Sequence, residues 1–265
     1  MYRRFLCSAA ALLVLLGATT TAGASVDELS RSADRGVAST SSFVRKAYED
    51  FLLRAPSPDE AAWWGAYLGG GGTRAAVIES LLKGDEFQEM WVLGSALRYL
   101  DDVYADDPHL ASWLSSLTSS GDYLGVEVSV LASEQYFREA GGTTAGFLDH
   151  LFRDVLDRAP DASGLSYWTS KLASGTSRAS VARSLLRSDE SAALQVRGHA
   201  GATSCLATSL EDLGSVLGGS YCLILDRPAD PSGATYWTSY MTSSGNQLIA
   251  LWISLASSSE YYNRS

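Results

Sequence analysis

Apolar side chains along this sequence recur mostly three and four residues apart. The pattern is clearest over 145–197. Phe147, Leu148, Leu151, Phe152, Val155 and Leu156 form one helical stripe, which Pro160 stops. A second stripe carries Leu165, Trp168 and Leu172 and ends at Gly175; Asp161 is placed to cap its start. Ser177 opens a third, with Val181, Leu185 and Leu186. Residues 42–92 follow the same plan. Pro58 and Asp59 open the second helix, the glycine run 69–72 ends it, and Thr73 starts the third. No stretch alternates in the way a set of strands would, so the pattern predicts an all-α protein.

The plan recurs at fixed offsets. Arg54, Arg158 and Arg227 each stand ten residues before a tryptophan (Trp64, Trp168 and Trp237). An Asp follows each arginine (Asp59, Asp161, Asp230), and in two copies a Gly follows the Asp (Gly164, Gly233). An aromatic lies sixteen residues before each tryptophan (Tyr48, Phe152, Tyr221), and a Glu about 22 after it (Glu86, Glu190, Glu260). A degenerate copy centres on Trp113, with Glu134 in its tail and Val103 where the arginine belongs. This much agreement at fixed distances marks tandem repeats. The expected units are three-helix repeats over 42–92, 93–140 (degenerate), 145–197 and 208–265, set as two pairs divided near 141–144. The last repeat follows a Gly- and Ser-rich insertion that holds Cys205.

The N-terminal 41 residues differ from the rest. Arg3 and Arg4 precede an apolar run, and Ala22 and Ala24 suit cleavage before Ser25, so residues 1–24 read as a secretory signal peptide. The motif Arg-Arg-Phe-Leu departs from the twin-arginine pattern, and the apolar run is too short to remain as a membrane span. Residues 25–41, rich in Ser, Ala and Asp, read as a flexible stem. An exported protein is expected: secreted or extracellular, with a periplasmic or cell-surface location as the alternative. Removing Arg3 and Arg4 with the leader takes the formal charge from −10 to −12, which argues against a nucleic-acid partner. Cys205 and Cys222 then remain as an even pair in an oxidising compartment and read as a disulfide; two buried thiols are the alternative.

The Arg, Asp and Glu of each repeat admit two readings, a charged ligand clamp or a structural tie. Their recurrence within one chain favours the tie, drawn as a partly buried, charged hydrogen bond from Arg to the Asp cap or to the distant Glu. The tryptophans read as core anchors. The aromatics just before three of them, Trp63, Tyr167 and Tyr236, point about 100° away on a helix and cannot share that core. They either pack between repeats or form exposed platforms on which sugar rings stack. No Gly-x-Ser-x-Gly, His-Glu-x-x-His or P-loop motif occurs, and His109, His150 and His199 lie far apart, so neither a metal, a cofactor nor a catalytic set is expected.

The string in 145–197 that carries Phe152, Leu156, Arg158, Pro160, Asp161, Gly164, Tyr167, Trp168, Gly175 and Glu190 resembles the secreted bacterial family known as domain of unknown function 4214. The resemblance extends over about residues 43–263 and implies helical repeats, without implying a chemistry. That family is in turn similar to the helical, non-catalytic linker domains of phycobilisomes. The expected role is a non-catalytic module that binds an extracellular or cell-envelope polymer such as a glycan. A scaffold for another exported protein and an exported hydrolase are the alternatives.

Overall fold

A computed structural model describes residues 26–103, 107–191, 215–243 and 248–264. Among the described residues there are fourteen helices and no strand: α1 (Val26–Leu52), α2 (Pro58–Gly69), α3 (Arg74–Lys83), α4 (Asp85–Tyr99), α5 (Pro108–Ser120), α6 (Tyr123–Leu131), α7 (Glu134–Glu139), α8 (Thr144–Leu156), α9 (Ala162–Ala173), α10 (Arg178–Leu186), α11 (Ser215–Leu225), α12 (Pro231–Ser243), α13 (Leu248–Ala256) and α14 (Ser259–Tyr262). The chain divides after Gly36 into two compact units, the second spanning Val37–Ser265. The expected signal peptide over 1–24 lies outside the described residues. The stem expected over 25–41 is helical from Val26 onward. Val26, Leu29, Ala33 and Val37 keep a helical spacing there, which the abundance of Ser and Asp obscured.

Local signals set most of the helix ends. Ser57 and Glu60 form a capping box at the start of α2. Asp161 caps α9 by accepting from the Gly164 N–H at 2.8 Å, and Asp230 accepts from the Gly233 N–H at 2.9 Å. Thr73, Asp122 and Ser177 cap α3, α6 and α10 in the same way. The first helix of three repeats ends alike: Leu53, Asp157 and Asp226 adopt left-handed backbone at φ 54°, 52° and 49°, each directly before the repeat's arginine. That turn aims the arginine side chain back across the repeat.

A buried core runs through the second unit and draws on all four repeats. Within it α3 packs on α13, α4 on α5 and α6, and α6 on α10. Two of the junctions are built alike. In one, α7 lies against α8: Tyr136 meets Phe147 edge-on at 6.1 Å and donates its hydroxyl to Asp154 at 2.7 Å. In the other, α14 lies against α1: Tyr261 meets Phe43 edge-on at 6.2 Å and donates to Asp50 at 2.6 Å. Asp50 and Asp154 each stand four residues before their repeat's arginine, and Phe43 and Phe147 eleven before it. The tail of the last repeat thus docks on the first repeat as the tail of the degenerate repeat docks on its successor. Gly146 permits the junction of α7 with α8, since a Cβ there would lie 2.1 Å from the Ala140 carbonyl oxygen. No helix among the described residues is long and apolar enough to cross a membrane.

Candidate binding surface

Each of the three well-kept repeats ties its first helix to its last through one arginine. Arg54 donates from Nε and Nη2 to Glu86 at 2.6 and 2.8 Å, Arg158 reaches Glu190 with Nη2 at 2.9 Å, and Arg227 Nε meets both oxygens of Glu260 at 2.8 Å. The distant Glu is therefore the arginine's main partner. The Asp cap is not: Asp230 lies 3.8 Å from Arg227, and Asp59 is exposed in the first turn of α2. Arg54 adds Glu60, at 2.8 Å from both Nη1 and Nη2. These bonds hold the Glu60 carboxyl down to about 2 and push the guanidinium of Arg54 up, Glu86 acting on it most strongly. The expectation of partial burial needs correction for repeats one and three, where Arg54 and Glu86 are 36% and 45% exposed and Arg158 and Glu190 are 41% and 42% exposed.

The degenerate repeat has lost both ends of the tie. Ser133 caps the Tyr136 N–H as Ser258 caps that of Tyr261, so Gln135 stands where Glu260 stands. Val103 replaces the arginine, and the Gln135 amide donates instead to the Asp102 carbonyl at 2.8 Å. Glu134, expected to match the other glutamates, sits one residue earlier. It receives Arg178 of the next repeat at 2.8 Å.

The tryptophans anchor the core unequally. Trp64, Trp113 and Trp237 are buried, while Trp168 is half-buried against the core. Trp64 donates its indole N–H to the Tyr48 hydroxyl at 2.9 Å, and Trp237 bonds Tyr221 in the same way. Repeat three carries Phe152 in place of that tyrosine, which removes the acceptor. Gly233 belongs to the same arrangement, because a Cβ there would lie 2.6 Å from the Tyr221 hydroxyl. At Gly164, facing Phe152, it would meet only ordinary contacts.

The aromatics that precede these tryptophans face outward. Trp63, Tyr167 and Tyr236 are 54%, 54% and 59% exposed. Each has a companion four residues on, along its own helix. Trp63 stacks on Tyr67 with ring planes 4° apart, Tyr236 stacks on Tyr240 at 18°, and the Lys171 ammonium lies over Tyr167, 5.4 Å from the ring centroid. The three shelves are separate: among the described residues, no ring contact joins one to another. Packing between repeats therefore does not cover them.

Other candidates are local. His109 bonds the Asp107 cap at 2.8 Å and His150 lies edge-on to Tyr136, while His199 and Cys205 fall outside the described residues. Cys222 is buried on α11. Among the described residues no group of three His, Cys, Asp or Glu side chains could hold a metal ion. Sequence reasoning missed Glu60 and the tyrosine–aspartate locks. The Ser57-x-x-Glu60 spacing marked the first; the shared offset of Asp50 and Asp154 marked half of the second.

No curated relative and no solved structure matches the chain. A family model described as Domain of unknown function (DUF4214) matches residues 28–91 and 128–195. The first match holds Arg54, Trp64 and Glu86, and the second holds Tyr136, Arg158, Trp168 and Glu190. The chain belongs to the DUF4214 family and carries its domain twice in tandem.

Proposed function

We propose that this is an exported, non-catalytic module that binds an extracellular or cell-envelope polysaccharide through the shelves of Trp63, Tyr167 and Tyr236. What carries the reading is the exposure of these three rings at one position of three repeats. An exposed ring costs hydrophobic stabilisation without a partner, and the apolar face of a pyranose covers such a ring well. The companions Tyr67 and Tyr240 hold the first and third rings in a fixed plane, which lowers the ordering cost of binding. Separate shelves suit a repeating polymer, because weak contacts at several points add through effective concentration. The arginine ties and the caps serve the scaffold in this reading.

The test is retention of the purified protein on immobilised envelope polysaccharides, with Trp63→Ala, Tyr167→Ala and Tyr236→Ala made singly and together. Each single change weakens retention several-fold and the triple change abolishes it, with the melting curve preserved because the rings are exposed. Undiminished retention of the triple variant, or no retention of the wild type on any polysaccharide, refutes the reading.

A further inference from the structure

We propose a second site, distinct from the aromatic shelves: a cleft at the junction of the last repeat with the first, in which Arg74 binds the carboxylate of an acidic saccharide, a uronic acid. The cleft measures about 550 Å³, within the range of small-molecule pockets, and is lined by Thr40, Leu68, Arg74, Ser259, Tyr262 and Asn263.

The two like junctions show why an anion belongs there. At the junction of α7 with α8, Arg178 lies over the Phe137 ring at 4.3 Å and donates to the Glu134 carboxylate at 2.8 Å. At the junction of α14 with α1, Arg74 lies over the Tyr262 ring at 4.6 Å, and its Nη2 donates to the Ser259 hydroxyl at 3.3 Å. Ser259 occupies the place of Glu134. The equivalent arginine, on an aromatic ring in both cases, thus keeps a carboxylate at one junction and meets a hydroxyl in its place at the other. Among the described residues Arg74 forms no ion pair. It is also the first residue of α3, whose first turn holds no acid, so the helix dipole adds to the attraction for an anion. The space freed by Glu→Ser is where a ligand's carboxylate fits.

The remaining lining selects the kind of carboxylate. Thr40, Ser259 and Asn263 offer hydroxyl and amide groups, which donate and accept, and Leu68 and the Tyr262 ring offer apolar surface. A polyhydroxylated ring bearing one carboxylate matches both, and guanidinium geometry favours two-point binding of that carboxylate.

The decisive variant is Ser259→Glu, which restores the carboxylate of the sister junction and fills the place from within. Glucuronate is titrated into the purified protein while the Arg74 side-chain N–H resonances are followed, with glucose and acetate as neutral-sugar and bare-carboxylate probes. The expected result is saturable binding of glucuronate, at least tenfold weaker binding of glucose and acetate, and at least tenfold weaker glucuronate binding by Ser259→Glu and Arg74→Ala. Ser259→Glu melts no lower than wild type, so its loss of binding is not a loss of fold. Absence of saturable glucuronate binding, equal binding of glucose or acetate, or undiminished binding by Ser259→Glu overturns the proposal. Trp63→Ala leaves this titration unchanged, which separates the site from the aromatic shelves.

Discussion

Tyr261 donates its hydroxyl to Asp50 at 2.6 Å and so joins residues 211 apart in the chain. The bond repeats that of Tyr136 with Asp154 at 2.7 Å, between residues only 18 apart. Burial first, then the neighbouring aspartate, pushes each hydroxyl well above the usual tyrosine range, so both remain donors at any working pH. Hydrogen bonds to a charged acceptor contribute about 1.5–3 kcal/mol. Tyr261→Phe and Tyr136→Phe should therefore each lower stability by roughly 1.5 kcal/mol, at the lower end because both bonds are part-buried. Urea denaturation of the two variants measures this. An unaltered midpoint for Tyr261→Phe would mean that the last repeat does not hold the first in solution.

Leu53 is the odd member of another conserved geometry within the chain. It takes φ 54° directly before Arg54, where the sister repeats place Asp157 and Asp226 at 52° and 49°. A left-handed residue with a large side chain costs about 1–2 kcal/mol, and Asp or Asn tolerates the conformation better. Leu53 is 79% exposed, so little packing opposes its replacement. Leu53→Asn should stabilise the protein by about 0.5–1 kcal/mol. Thermal melting decides: a lower midpoint would mean that the leucine contributes a contact greater than the strain.

The three arginine ties differ in their dependence on pH. Arg54 hydrogen-bonds two carboxylates, Glu86 and Glu60, and Glu60 is held down to about 2. A depressed carboxyl contributes stability that is complete above its unfolded value, near 4.5, and is lost as pH falls toward 2. Glu60→Gln should therefore destabilise at pH 7 and converge with wild type by about pH 2, as measured by denaturation across that window. Arg158→Ala should cost less, about 0.5–1 kcal/mol, since its pair is two-fifths exposed to solvent. A pH-independent gap between Glu60→Gln and wild type would remove charge as the cause.

Much of this arrangement is legible along the sequence. The offsets of Arg158, Trp168 and Glu190 place one helix end, one core anchor and one distant partner, because each repeats wherever the unit repeats. The degenerate repeat is also consistent: Val103 and Gln135 replace both halves of one tie. What the offsets do not convey is which repeat a tail serves. Tyr136 and Tyr261 end their own repeats in sequence yet pack against Phe147 and Phe43 of others, and no local spacing encodes a contact across 211 residues. Nor does a pattern of residue types tell Arg74 from Arg178. The difference between them lies in Ser259 and Glu134, each brought near by the fold.

Glu127 is an acid with no such function. It lies buried on α6, and among the described residues no hydrogen bond or ion pair reaches its carboxyl. Burial pushes its pKa up, and the charge of Arg98 only partly offsets this. For a carboxyl raised in the folded state, both states are protonated below the unfolded value near 4.5, and no penalty arises there. As pH rises through the folded value, the unfolded chain ionises more readily than the folded one, and stability falls. Glu127→Gln keeps the shape without the charge. It should stabilise at pH 7 by on the order of 1 kcal/mol, a gain that shrinks to nothing below about pH 4.5. Arg98→Ala should steepen the loss of wild-type stability at neutral pH, because it removes the one charge that favours the ionised form. Denaturation midpoints of the three proteins at pH 4 and pH 7 test both statements, and a Glu127→Gln protein less stable than wild type at pH 7 would show that the carboxylate has a partner worth more than its burial costs.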